Sequence, residues 1–195
     1  MIASILWYLV ITAGLLVSVA SLYLVWFRFP ERTVHDVVDY LLPVELEKAE
    51  ELLDPQTEAI LRRELSPADF RKLQRKRIYH YLAVVQKMSH NAAVLVEWAN
   101  REVKGNDRRA AQLAAELQQA GIELRLYCLL ALVKLRFWLL IRVDRWRLLP
   151  SPSLHDVREA GGIRGLEIYD RMKSAASFLF IEMGQDNFEE FLHKL

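Results

Sequence analysis

From Ile5 to Phe27 the chain runs through twenty-three residues without one charged side chain. Trp7 and Tyr8 mark one edge of this run, and Tyr23, Trp26 and Phe27 mark the other. Nineteen steps separate Trp7 from Trp26, about 28 Å along an α-helix at ~1.5 Å per residue. A bilayer's hydrocarbon core is ~30 Å thick, and Trp and Tyr collect at its two surfaces. The run therefore reads as a single transmembrane helix, with Trp7, Tyr8, Tyr23 and Trp26 at the interfaces. No Lys or Arg precedes it, whereas Arg28 and Arg32 follow directly. The positive-inside rule then places the amino terminus outside and the main domain in the cytoplasm of a single-pass cell-membrane protein. Cleavage after Ser18-Val19-Ala20 is the competing reading, but a basic leader segment is missing and the apolar run continues for seven residues past that point. Gly14 and Ser18 provide one small-xxx-small step, a dimer contact or a chance spacing.

About 165 residues follow the span, the size of one domain. Leu, Ala, Glu, Lys and Arg dominate while Gly and Pro are scarce, as in helical bundles. A net charge of +1 exerts no global pull on nucleic acid or a membrane surface. Cys128 is the only cysteine, so no internal disulfide forms, and no Asn-x-Ser/Thr acceptor is present. Both fit a reducing compartment.

The expected class is all-α: a membrane anchor at 1–28, an acidic linker with short helices at 29–65, and a helical-bundle domain at 66–195. Thr33 opens a first short helix reaching Leu42, with Asp36 at the capping-box position. Pro43 is placed to open a second helix to Leu53, and Asp54-Pro55 separates a third reaching Leu65. Ser66-Pro67-Ala68-Asp69 is the clearest helix start, combining a capping hydroxyl, proline at the first position and an acid at the positive end of the dipole.

From there Phe70, Leu73, Arg77, Tyr81, Val84, Met88, Ala92, Leu95 and Ala99 recur at three- and four-residue steps, a helical, nearly heptad period. One long helix over about 67–104 follows, and Gly105-Asn106-Asp107 turns the chain. Leu113, Leu117, Ala120, Leu124, Tyr127, Ala131, Leu135 and Trp138 repeat the spacing in a second arm at about 107–147. Two long periodic segments joined by a short turn make an antiparallel hairpin. Pro150-Ser151-Pro152 ends the second arm; a helix at about 163–183, stopped by Gly184, and a terminal turn at Phe188–Leu192 complete the pattern.

Leu126–Val143 is the second most apolar stretch, interrupted by Lys134 and Arg136. Each charge costs about 2.5–3.5 kcal/mol at a bilayer centre, against roughly −0.3 to −0.6 for each apolar residue, so insertion is close to break-even. Burial as the bundle's central helix is the favoured reading. A helix lying on the inner leaflet, with Lys134, Arg136, Arg142, Arg145 and Arg147 reaching phosphates, is the second.

Arg71, Lys72, Arg75, Lys76 and Arg77 form the densest basic cluster. Such a stripe binds anionic headgroups, or it is a solvated face pairing with Glu45, Glu47, Glu50, Glu51 and Glu58. Candidate lipid-phosphate contacts are Arg71, Lys72, Arg75, Lys76, Lys134 and Arg136. Glu190-x-x-His193 matches one ligand element of di-iron bundles, which need two such elements and two further glutamates. No other histidine has a glutamate three residues before it, so no metal or cofactor is expected. His35 and Asp39 share a helix face, while His80 and His90 fall within the first arm. Cys128 sits in an apolar block that quenches a thiol, and Gly161-Gly162-Ile163-Arg164-Gly165 lacks the Lys and Ser/Thr of a phosphate loop.

No catalytic set assembles from these motifs. The expected role is a membrane-anchored helical scaffold, adaptor or complex subunit whose partners are the bilayer and a protein or second copy docking on helix faces, with no nucleic acid. A peripheral anionic-lipid module is the alternative, and a bundle enzyme or metal protein the third.

Overall fold

The structure, a computed structural model, describes residues 37–102, 108–140, 153–158, 162–184 and 188–195. The apolar run at 5–27, Arg28, Arg32 and His35 lie outside these residues, as do Gly14 and Ser18. The described residues are helical, with no strand among them: α1 (Val37–Tyr40), α2 (Leu46–Leu53), α3 (Pro55–Glu64), α4 (Pro67–Glu102), α5 (Arg108–Leu140), α6 (Leu154–Val157), α7 (Ile163–Glu182) and α8 (Phe188–Lys194).

The expected hairpin is α4 and α5. Ser66 starts α4 as its sequence predicts: its hydroxyl receives the Asp69 N–H at 3.2 Å and donates to the Asp69 carboxylate at 2.6 Å. The two arms run antiparallel, since Tyr81, Val85 and Met88 of α4 face Cys128 of α5 across one cleft while Val96 meets Gly121. The backbones approach closely at that last point, and a methyl group on Gly121 would collide with Val96.

The apolar period of α4 is buried at Phe70, Tyr81, Met88, Ala92, Leu95 and Ala99. On α5 the buried face is Ala114, Leu117, Leu124, Cys128, Leu132 and Leu135, whereas Tyr127, Ala131 and Trp138 are partly buried against the same core. The predicted stripe thus spreads over two neighbouring faces, because α5 packs on both α4 and α7. α7 runs back along α5, as Arg171 pairs with Glu123 at 2.8 Å and Arg109 with Glu182 at 3.5 Å. Gly184, at φ +60°, ends α7 as expected.

The acidic stretch contributes Val37, Val38, Leu41, Ala49 and Leu53 to the same core. Its second helix begins at Leu46 rather than Pro43. Long-range bonds explain the delay: Asn91 holds both the N–H and the carbonyl of Leu42, and Lys87 holds the Pro43 carbonyl. These groups are engaged by α4 and the chain stays extended until they are passed. Asp54 then closes α2 and caps α3, accepting from Gln56 N at 3.2 Å and Thr57 N at 2.8 Å. The Thr57 hydroxyl and N–H hold the Asp54 carboxyl below its usual range.

At the far end Phe180 and Phe191 stack at 4.3 Å, with Trp98 tilted against both. The terminal turn expected at Phe188–Leu192 is therefore the helix α8, sealed by its aromatic face. Burial of α5 is less complete than its sequence suggests: Ile122, Leu126, Leu130 and Phe137 stay exposed. Among the described residues no helix is long and apolar enough to cross a membrane; α5 packs on α4 and α7.

Gly→Ala inside a helix normally stabilises by about 1 kcal/mol. Gly121→Ala is expected to do the opposite, by about 1–3 kcal/mol, because α4 cannot yield without repacking. Phe180→Ala should cost about 3–5 kcal/mol. Denaturant unfolding followed by far-ultraviolet circular dichroism checks both.

Candidate functional site

Carboxylates are almost never buried without partners, yet Glu58 on α3 is 5% exposed. Its Oε1 accepts from the Ser153 hydroxyl at 2.6 Å and from Arg62 at 3.5 Å. Its Oε2 accepts from Leu154 N at 3.1 Å and Gln74 Nε2 at 3.2 Å. Gln74 in turn accepts from Arg77 at 3.4 Å, and Arg77 donates to the Leu52 carbonyl at 2.8 Å. Leu154 begins α6, so Glu58 satisfies one of the N–H groups that a helix start leaves open. One carboxylate therefore fastens α3, α4 and α6, while Arg77 fastens α2. Burial lowers the Arg77 pKa, opposed by the negative charges of Glu58, Asp54 and Glu51.

A second polar knot lies around Asn91, fully buried on α4. Its Oδ1 accepts Leu42 N–H at 2.9 Å; its Nδ2 donates to the Leu42 carbonyl at 2.8 Å and the Tyr169 hydroxyl at 2.9 Å. His90 Nε2 meets the Tyr40 carbonyl at 2.9 Å, Lys87 donates to the Pro43 carbonyl at 3.0 Å, and Lys194 donates to the Val38 carbonyl at 3.0 Å. Four side chains thus grip the backbone of 38–43, the first described segment after the apolar run. Burial pushes the Tyr169 phenol up to about 12, tempered by the Asn91 bond.

Between α4, α5 and the start of α7 lies a cleft of about 280 Å³, lined by Tyr81, Met88, Tyr127, Cys128, Lys134 and Gly162 among others. Burial pushes the Cys128 thiol up to about 12, so at neutral pH it is protonated and a poor nucleophile. Glu50, Glu51, Asp54, Glu167 and Asp170 line an open groove between α2 and α7, with Arg158 among them. Among the described residues, no three His, Cys, Asp or Glu side chains gather closely enough to hold a metal ion.

The structure separates the basic cluster. Arg71, Lys72, Arg75 and Lys76 are exposed on the first turns of α4, whereas Arg77 is 6% exposed and belongs to the core network. Of the acids expected to face this cluster, Glu58 reaches α4 through Gln74, and Glu45 pairs instead with Lys48 on its own helix. Lys134 donates to the Asp156 carbonyl at 2.7 Å and lies 5.2 Å from the Trp138 ring centre; Arg136 is half-buried. Arg142, Arg145 and Arg147 lie outside the described residues, as do Trp7, Tyr8, Tyr23 and Trp26. Glu190 pairs with Lys194 at 3.1 Å while His193 is exposed, so the di-iron-like spacing is occupied by an ion pair. Gly162 packs against the Val157 backbone at the N-cap of α7, and Gly165 lies in its first turn beside Tyr127.

Sequence reasoning missed two linked pairs, Glu58 with Gln74 and Asn91 with Tyr169. The signal was present in part: Gln74, Arg77 and Asn91 all fall on the three-and-four-step face of α4 that carries its apolar residues. A polar residue on such a face demands a partner, but periodicity does not say which.

Asn91→Ala strands the Leu42 N–H and carbonyl, at about 1–3 kcal/mol for each buried unsatisfied group. The expected outcome is faster hydrogen exchange at Leu42 with the α4–α5 core still protected. The raised pKa values of Cys128 and Tyr169 give a pH dependence of definite sign. Both groups are favoured neutral by the fold, so their contribution is complete below about pH 9, where the unfolded thiol begins to ionise, and is lost as pH rises towards about 12. Denaturation midpoints against pH should fall across that window, and a thiol reagent at pH 8 should label Cys128 only after denaturant is added.

No family model, curated protein or solved structure matches this chain.

Proposed function

We propose that the chain is a single-pass membrane protein whose helical bundle works as a scaffold or subunit of a membrane complex. The reading joins the uncharged run Ile5–Phe27 and its trailing Arg28 and Arg32 to the knot around Asn91, which ties the next segment rigidly to the bundle. The amino terminus is outside and the bundle faces the cytoplasm. A scaffold needs a face for its partner, and the observation that carries the reading is on α7: Phe178 and Ile181, one turn apart, are 62% and 56% exposed, with Met183 beside them. An exposed aromatic and an exposed aliphatic one turn apart near the end of a packed helix suit docking by apolar packing.

Two measurements test this. A carboxy-terminal green fluorescent protein fusion should fluoresce and an alkaline phosphatase fusion should be inactive; the reverse pattern overturns the topology. A photo-crosslinker at Phe178 in native membranes should give one discrete adduct that Ile181→Asp abolishes without lowering stability. Monomer alone, with no adduct, at cellular concentration would overturn the scaffold role.

A further inference from the structure

Glycine weakens a helix relative to alanine, so a buried glycine within one asks for a reason. At Gly162 the reason is the Val157 backbone, whose carbonyl oxygen a Cβ would strike at 2.9 Å. Gly165, in the first turn of α7, has no such reason. A Cβ there would meet only the Cβ of Tyr127, at 3.9 Å, which is an ordinary contact. Gly165 is buried nonetheless, so the space beside it belongs to the cleft that it lines together with Tyr127. The packing of the bundle would accept a side chain at this position, and the cleft stays open because glycine stands there.

The opposite wall of the same cleft carries a polar group that the fold does not satisfy. Tyr81 is 2% exposed and lines the cleft from α4. Burial pushes its phenol pKa well up, and Cys128 adds to the rise for both Tyr81 and Tyr169, so both hydroxyls lie near that thiol. Tyr169 accepts from Asn91, whereas no described group hydrogen-bonds the Tyr81 hydroxyl. Among the described residues, no fully enclosed side-chain polar atom lacks a partner. The Tyr81 oxygen is therefore not sealed in the core but opens on the cleft. A buried phenol ordinarily has a bonding partner.

The groups around the cleft set the chemistry of an occupant. The Tyr81 hydroxyl, the Cys128 thiol and the Lys134 ammonium can all donate, and the Asp156 carbonyl is already taken by Lys134. The occupant therefore supplies an acceptor. Lys134 is held there and over the Trp138 ring, so it is no free counter-charge, and a buried carboxylate without one is disfavoured. Val85, Leu130, Ala131 and Val157 make the remaining wall apolar, and the Met88 thioether favours an aromatic ring. An apolar cavity of about 150 Å³ takes benzene, so a cleft of about 280 Å³ takes a molecule of about ten heavy atoms. We infer that the cleft between Tyr81, Met88 and Gly165 is a binding site for a small uncharged aryl ketone, its oxygen accepting from the Tyr81 hydroxyl. The site lies within the bundle and stands or falls apart from the membrane-scaffold reading.

The test uses the full chain in phosphatidylcholine nanodiscs, with isotopically labelled methionine methyl groups read by nuclear magnetic resonance. The probes are propiophenone and sec-butylbenzene, alike in size, the second carrying a methyl group in place of the carbonyl oxygen. Both are titrated on a scale of free concentration, so that uptake by lipid cancels. Propiophenone should shift the Met88 methyl resonance saturably and leave that of exposed Met183 in place. Tyr81→Phe should weaken propiophenone about two- to tenfold, the worth of one neutral hydrogen bond, and leave sec-butylbenzene unaffected. The same variant should not lower the thermal midpoint of the chain without probe, because its hydroxyl has no protein partner to lose. Gly165→Leu should abolish the shift with both probes. Ala131→Leu fills the cleft from α5 and gives the same reading if the first variant fails to fold.

No saturable Met88 shift with propiophenone overturns the proposal, as does a shift that survives both filling variants, which puts the probe elsewhere. Met183 moving in step with Met88 reports partition into the disc and overturns it too. An equal effect of Tyr81→Phe on the two probes makes the ring, not the hydroxyl, the contact. No effect on either leaves an apolar cleft with water at Tyr81. Each of these last two outcomes removes the assignment, and so does a Tyr81→Phe chain that melts lower, since its hydroxyl would then be bonded within the protein.

Discussion

Close packing of α4 on α5 is the constraint from which the other helices take their places. The approach at Gly121 and Val96 lets two helices of more than thirty residues lie against one another, and α7 then fills the groove that α5 leaves open. Dispersion and water exclusion supply the drive, but they do not fix register. Register comes from the polar groups on α4's buried face, each of which can be satisfied in only one place. Gln74 and Arg77 locate α2, α3 and α6, and Asn91 locates the chain before α2 and the middle of α7. The apolar core supplies the cohesion and the buried amides and charges specify the arrangement.

Such buried polar sets are costly if half made, and here their partners come from far apart in sequence. Glu58 bonds residues ninety-five and ninety-six positions away, and Asn91 bonds a tyrosine seventy-eight away. The shortest of the segments that hold these partners, around Leu42 and at Leu154, offer little apolar area of their own. α6 is four residues long and α1 is four, far below the length at which a helix persists alone. Their order is borrowed from longer helices: Glu58 of α3 holds the start of α6, and Asn91 of α4 holds the chain after α1.

Local signals were legible in the sequence wherever the responsible atoms are neighbours. Ser66 with Asp69, Asp54 with Pro55, and Gly184 each act within a few residues, and each ends or begins a helix where expected. The hairpin was legible too, since a sustained three-and-four-step period is a property of one segment. Illegible were the meanings that depend on a distant partner. Pro43 looked like a helix start until Asn91 and Lys87 held the carbonyls around it. Arg77 fell both on the apolar period and among five clustered cations; half a turn separates it from Arg75, and that rotation carries it into the core. The exposed faces of α5 and α7 were hidden for the same reason: hydrophobicity shows which residues seek cover, and only the packed structure shows which ones went without it.

The polar grip on residues 38–43 is made through backbone groups, the carbonyls of Val38, Tyr40, Leu42 and Pro43 and one N–H, while Val38 and Leu41 bury their side chains in the core. Side-chain identity in that segment is almost irrelevant to the bonds that hold it. At the exposed positions 39, 42 and 43 this join can therefore drift in sequence while staying fixed, so long as Lys87, His90, Asn91 and Lys194 persist and Val38 and Leu41 stay apolar. A pull along the amino-terminal chain would load those four side chains together, spreading the force over α4 and the last helix instead of peeling one contact at a time.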